Sequence, residues 1–265
     1  MRREDDLIEA LRRFATSARP LIVSDYDGTL APIVDDPSRA TAHPGALAAL
    51  ATLAEMRDTS VAVVSGRSLQ DLRTLCAFPP AIHLVGSHGS EYESGFDDEV
   101  GPDQQRLLDQ LDDELTELAA AAPGFLIERK PASVAFHYRQ ADPEIAEDVL
   151  TNIRQGPGAH PDVRARDGKM VVELAVIDAD KGSAIERLQR ESGADGVLFV
   201  GDDVTDEDAF AVLGAADIGI KVGDGTTLAA YRVADTDETA DLLNLLVELR
   251  TAWLDRDDSL DVPER

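Results

Sequence analysis

Residues 21–30, LIVSDYDGTL, constrain this chain more than any other stretch. The apolar run Leu21-Ile22-Val23 reads as a buried strand, and Gly28 is a turn signal at its end. Open α/β sheets bind ligands beyond the carboxyl ends of their strands, so Asp25 and Asp27 would sit at the mouth of a site. Carboxylates that close repel unless a cation lies between them or one holds a proton. An Asx-turn accounts for the same residues, since Asp and Gly are the commonest turn formers. The stretch alone leaves both readings open.

The surrounding pattern is alternating. Leu7, Ile8, Leu11 and Phe14 at helical spacing predict a lead-in helix over 5–15. Helices over 44–57 and 69–76 alternate with apolar strands over 60–64 and 82–85, which implies right-handed crossovers in a parallel sheet. From about residue 100 the order changes. An acidic helix over 103–122 precedes short runs at 125–129 and 134–139, then a helix over 143–153, then runs at 163–166 and 170–176 flanking Asp167-Gly168, a hairpin signal. This αββαββ order describes an α+β unit inserted in the α/β pattern. Alternation resumes with a helix over 181–191, a strand over 197–200, an acidic cluster over 201–208, a helix over 209–213, a strand over 218–222 and a closing helix over 239–253. The fold expected is a Rossmann-like parallel-sheet α/β core, residues 1–99 and 178–265, carrying an inserted α+β domain over 100–177.

Charge narrows the partners. The net charge of −27 and a lysine complement of only Lys130, Lys169, Lys181 and Lys221 disfavour nucleic acid and anionic membranes. Such a surface suits a host with high internal salt, where screening shortens to ~3 Å at 1 M. The single cysteine, Cys76, excludes an internal disulfide and, beside Leu72 and Leu75, reads as buried filler. No apolar run reaches membrane-spanning length and the first residues do not form a signal peptide, so a cytoplasmic protein is expected; a monomer is expected as well.

Three further groups fall at predicted strand ends. Ser65-Gly66 follows an apolar strand and precedes a helix, offering a hydroxyl and backbone N–H groups to an anion, or an ordinary N-cap. Lys181 opens a helix, against the macrodipole, where a bound phosphate would explain it. Asp202, Asp203 and Asp206 follow the strand over 197–200, where acids also suit the N-terminus of a helix; together with the first pair they would repel without a divalent cation, and oxygen ligands alone suit Mg²⁺. A carboxylate nucleophile, a second carboxylate for protons, a hydroxyl, a lysine and Mg²⁺ together describe phosphoryl transfer through an aspartyl-phosphate.

In order, Asp25-Tyr26-Asp27-Gly28-Thr29, Ser65, Lys181 and Gly201-Asp202-Asp203 with Asp206 resemble the four motifs of haloacid dehalogenase-like phosphatases, and the insertion resembles their α+β cap. More narrowly the chain resembles trehalose-6-phosphate phosphatases, through Val64-Ser65-Gly66-Arg67, Gly86-Ser87-His88-Gly89-Ser90-Glu91, Glu128-Arg129-Lys130, the stretch 134–139, Val172-Glu173 and the stretch 201–210. The resemblance implies that Asp25 attacks phosphorus and that Asp27 is acid, then base. It implies that Ser65, Gly66 and Lys181 bind the phosphoryl group. Mg²⁺ would be held by Asp25, Asp27 and Asp202, with Asp206 and Asp203 in support. Sugar contacts would come from Arg67, His88, Glu128, Lys130, His137, Arg139 and Glu173. Arg67 reads equally as a helix-surface charge. After Glu173, where such families carry a basic or proline-containing stretch, this chain has Leu174-Ala175-Val176-Ile177-Asp178. The substrate implied is a sugar phosphate, trehalose 6-phosphate or a sucrose-phosphate or glucosylglycerol-phosphate type. A signalling receiver and a silent sugar-phosphate sensor are the rival classes.

Overall fold

A computed structural model describes residues 4–260 apart from 94, 97–99, 169 and 178. The chain opens with α1 (Glu4–Phe14), β1 (Pro20–Ser24), α2 (Pro44–Ala54), β2 (Ser60–Val64), α3 (Leu69–Leu75) and β3 (Ile82–Val85), then a short hairpin, β4 (Glu91–Tyr92) and β5 (Gly95–Phe96). The inserted segment follows as α4 (Pro102–Ala119), β6 (Leu126–Arg129), β7 (Ser133–His137), α5 (Pro143–Gln155), β8 (Arg164–Gly168) and β9 (Val171–Ala175). The chain closes with α6 (Lys181–Ser192), β10 (Gly196–Gly201), α7 (Asp206–Val212), β11 (Ile218–Val222), β12 (Tyr231–Val233) and α8 (Thr236–Leu260).

Six strands form one parallel sheet in the order β12-β11-β10-β1-β2-β3. Every residue of β1 and β10 is buried, as a parallel strand covered on both faces requires. The pleat sends alternate side chains to opposite layers. Ile22, Val61 and Leu198 pack with α1, α2 and α8, whereas Leu21, Val23, Ala62 and Phe199 pack with α6 and α7. A sheet filled with apolar side chains on both faces leaves its strand ends for polar groups.

The second sheet is antiparallel, in the order β6-β7-β9-β8. One face, with Val134, Phe136, Val172 and Leu174, packs on Leu108, Leu111 and Leu115 of α4 and on Val149, Leu150 and Ile153 of α5. The register places Glu128, Ala135, Glu173 and Arg166 in one cross-strand row on the other face. The α/β core with an additional antiparallel sheet agrees with the expected fold class.

Several details differ from the sequence reading. Asp167 and Gly168 are not the hairpin turn but the end of β8, with Gly168 opposite Val171, and Met170, just before β9, takes a positive φ (64°). A sixth parallel strand, β12, was not anticipated, and α8 runs longer at both ends than the predicted 239–253. The expected domain boundaries at 99/100 and 177/178 fall on residues 99 and 178, outside the described residues. No helix among the described residues is long and apolar enough to cross a membrane.

Candidate active site

The ends of β1 and β10 interlock. Asp25 extends the ladder beyond β1 by donating its N–H to Val200 O (2.9 Å), and it is buried. Gly28 turns the chain at φ +82°, and a Cβ there would lie 2.0 Å from Asp202 Oδ2. Glycine is needed for both the conformation and the space. Carboxylate oxygens of Asp25, Asp202 and Asp206 lie within 4.8 Å of one another.

Lys181, the first residue of α6, reaches this group with its Nζ 2.7 Å from both Asp25 Oδ1 and Asp206 Oδ1. The lysine is almost wholly buried. These two carboxylates, with Asp180 capping the helix by accepting from Ser183 N, account for a cation at a helix N-terminus. Burial would lower the Lys181 pKa, but Asp206 and Asp25 outweigh it and hold the ammonium protonated. Burial pushes the Asp25 carboxyl well above its usual 3.8; Lys181 opposes this, while Asp206 and Asp202 add to it. Three acids facing one ammonium in a buried site, with oxygen donors only, match a hard divalent cation in charge and donor chemistry. Asp203 lies outside this triad: its N–H donates to Asp206 Oδ2 (2.7 Å) and its Oδ1 accepts from Val204 N.

Ser65 follows directly on β2, the neighbour of β1, and is buried. It is not a helix cap, because Ser68 caps α3 by accepting from Asp71 N. Its Oγ instead accepts from Arg67 N (3.2 Å). Arg67 is neither a helix-surface charge nor drawn to the second sheet, because the loop after Ser65 curls back onto β1's end. Its Nε and Nη2 lie 2.6 and 2.7 Å from the two carboxylate oxygens of Asp27, a bidentate pair.

Beside this loop stands a second ionic group. Lys130 Nζ donates to Gly66 O (2.9 Å) and to Glu173 Oε2 (2.8 Å), so the second sheet meets the loop that carries Ser65. Ser133 Oγ donates to Glu173 Oε1 (2.6 Å), and His88 Nε2 lies 3.3 Å from Glu173 Oε2. His88 holds a left-handed backbone (φ 56°), and its ring fills the space a Cβ on Gly66 would need, 2.5 Å away. Burial lowers the His88 pKa against the pull of Glu173. A neutral ring facing an ionised carboxylate carries its proton on Nε2; Nδ1 is then buried without a hydrogen-bond partner among the described residues. Burial would raise Glu173, yet the Lys130 charge, with the hydrogen bond from His88, outweighs it and holds its carboxyl well below 4.5.

The remaining predicted contacts divide. Glu128 and His137 pair (Oε2 to Nε2, 2.8 Å), and that bond, against burial, lowers the Glu128 pKa. Arg139 lies exposed in the turn after β7. Glu91 serves the scaffold, accepting from Leu69 N (2.8 Å). Two buried residues escaped the sequence reading. Ser133 has no local signal. Lys221 does have one, a lysine inside an apolar strand; its Nζ donates to the carbonyls of Asp202 (2.6 Å) and Asp203 (3.2 Å) and so fixes the acidic loop.

The parallel sheet with its inserted antiparallel sheet has the haloacid dehalogenase-like fold, and an acidic triad and a buried lysine lie at the mouth of the parallel sheet. Residues 23–237 match the family model described as trehalose-phosphatase, and the chain belongs to that family. It is 34% identical over 258 residues to the trehalose-phosphate phosphatase of Mycobacterium marinum, covering 91% of this chain and 65% of that one. It is 35% identical over 242 residues to the bifunctional trehalose-6-phosphate synthase/phosphatase of Thermoproteus tenax, covering 88% and 32%. The chain therefore spans just under two thirds of the first relative and about a third of the second. The C-terminal domain of the Candida albicans trehalose-6-phosphate phosphatase shares the fold, with TM-score 0.81 at 24% identity over 92% of this chain and 97% of that one.

Proposed function

We propose that the chain hydrolyses trehalose 6-phosphate to trehalose and phosphate through an aspartyl-phosphate at Asp25, with Mg²⁺ held by Asp25, Asp202, Asp206 and the backbone of Asp27. The observation that carries this is the buried Asp25–Lys181–Asp206 contact with Asp202 alongside. When bound, the cation supplies positive charge to the phosphoryl group and keeps Asp25 ionised against its raised pKa.

The residues divide the work. An Asp25 oxygen forms a bond to phosphorus as the bond from phosphorus to the sugar oxygen breaks, and Asp27 gives that oxygen a proton. Asp27 then takes a proton from the water that cleaves the aspartyl-phosphate. Lys181 and the Ser65 hydroxyl, with the Gly66 backbone beside it, bind the phosphoryl oxygens. Residues 100–177 act as the cap. Glu128, Lys130, His137 and Glu173 offer the sugar alternating donors and acceptors, and His88 supports Glu173. Closure excludes water from the reacting centre. The charge of −27 disfavours nucleic acid and anionic membrane surfaces as partners, the single cysteine fits a cytoplasmic enzyme, and an anionic sugar phosphate enters against that charge through the local cations Lys130 and Lys181.

The test is phosphate release from trehalose 6-phosphate, sucrose 6-phosphate and glucosylglycerol phosphate, with and without EDTA, for the native chain and Asp25→Asn. The expected result is preference for trehalose 6-phosphate, lost with EDTA and with the substitution. Preference for another sugar phosphate overturns the substrate; activity surviving Asp25→Asn overturns the mechanism.

A further inference from the structure

We infer that Arg67 is the positioning residue for proton transfer: it aims the Asp27 carboxylate and, through its backbone, the Ser65 hydroxyl, so that one residue sets the acid–base group and a phosphate-facing donor together. This rests on the phosphatase reading above. Asp27 is the more exposed of the two carboxylates in the opening motif, its side chain 31% accessible, and would otherwise turn freely at the site mouth. The Arg67 fork removes that freedom by engaging both of its oxygens.

The fork is itself fixed. Nη2 also donates to Pro37 O (2.9 Å), and the guanidinium carbon lies 5.7 Å from the centre of the Tyr26 ring. On the backbone, Arg67 O accepts from Ser87 N (2.8 Å), tying it to the loop that carries His88. Arg67 N–H donates to Ser65 Oγ, which leaves the hydroxyl hydrogen to point towards a phosphoryl oxygen.

This arrangement has a chemical consequence. Both Asp27 oxygens accept from the fork, so one of them must be released before Asp27 can take up a proton from solvent water and deliver it. Pro37 O gives Nη2 a partner as Oδ1 swings free, while Nε retains Oδ2. The proton goes from Asp27 to the sugar oxygen as its bond to phosphorus breaks and the Asp25–phosphorus bond forms. A sugar alkoxide needs that proton to depart; a nitrophenolate does not.

The test is kcat/KM, which reports steps through cleavage of the leaving-group bond, measured with Mg²⁺ on trehalose 6-phosphate and on 4-nitrophenyl phosphate. Native protein, Arg67→Ala, Arg67→Lys, Asp27→Asn and the Arg67→Ala/Asp27→Asn pair are compared, with thermal melts to verify folding. Since acid–base groups contribute roughly 10²- to 10⁴-fold, Arg67→Ala should lose about 10- to 100-fold more on the sugar phosphate than on the aryl phosphate. Arg67→Lys, which keeps the charge without the fork, should fall between and stands in if the alanine variant does not fold. Adding Arg67→Ala to Asp27→Asn should change little. Equal losses on both substrates, or full additivity in the pair, overturn the inference and leave the phosphatase reading intact. A native protein inert on both substrates overturns the reading itself.

Discussion

The two sheets treat polar residues in opposite ways. The parallel sheet is covered on both faces, so the polar groups of the site gather beyond its strand ends, where Asp25, Ser65 and Asp202 lie, with Lys221 reaching the acidic loop from within β11. Asp25 is held by a partner distant in sequence: Lys181 meets it across 156 residues. The antiparallel sheet has one face on its helices and the other turned to the core, and there Glu128 and Glu173 sit within strands, separated by the small Ala135. A strand end gathers groups from several loops around one point, which suits a reacting atom. A sheet face spreads donors and acceptors over a row, which suits a polyhydroxylated ligand. Substitutions in the first sheet should therefore change chemistry, and those in the second should change binding.

The largest effect expected is from Asp25→Asn, which should lower phosphate release by roughly 10⁴-fold or more, with little change in the thermal midpoint. Residual activity within tenfold of native would remove the core's claim to the chemistry. Next is Gly28→Ala. It forces a positive φ on alanine and drives Cβ into Asp202, so calorimetric Mg²⁺ affinity should fall more than tenfold; unchanged affinity would detach Asp202 from the cation.

Glu173→Gln sharpens the contrast from the other side. It leaves Lys130 with a weaker partner in a buried site, and KM for trehalose 6-phosphate should rise about 10- to 100-fold while kcat changes less. A fall in kcat alone would move Glu173 into the core's role. The same residue predicts a pH dependence. Its folded pKa lies below the ordinary 4.5, so the stability it contributes is full above that value and is lost as pH falls through the folded pKa. His88, buried with a lowered pKa, acts in the same direction below about 6.5. Chemical denaturation between pH 7 and pH 3 should show the loss, with a shallower slope in Glu173→Gln. An identical slope in both would place the acid sensitivity elsewhere. The smallest effect is general: with a net charge of −27, the thermal midpoint should climb by several degrees as salt rises from 0.1 M, where screening reaches ~10 Å, towards 1 M. No change would mean the acidic surface carries no self-repulsion.

Most of the architecture was legible because both sheets write themselves locally. Parallel strands read as apolar runs such as 197–200, and the change to paired short runs after residue 100 marked the second sheet. The misplaced turn at Asp167-Gly168 shows the limit. The dipeptide is a strong local signal, but pairing of Ala165 with Leu174 and Asp167 with Val172 sets the register and keeps both residues in the strand. β12 is only three residues long, too short for periodicity to reveal. In the site, residue types at strand ends were readable, while partners were not. Nothing in the sequence joins Arg67 to Asp27, 40 positions away, or Ser133 to Glu173. Lys221 was readable in principle, as a rare lysine inside an apolar strand.

The division of labour between Asp25 and Asp27 is the centre of this account, and borohydride trapping during turnover of trehalose 6-phosphate tests it most directly. Reduction of an aspartyl-phosphate gives homoserine, which mass spectrometry locates in the peptide spanning residues 21–30. Conversion is expected at Asp25 alone, in native protein and in Arg67→Ala, and none in Asp25→Asn. Conversion at Asp27, or continued turnover with no trapped residue, would contradict it.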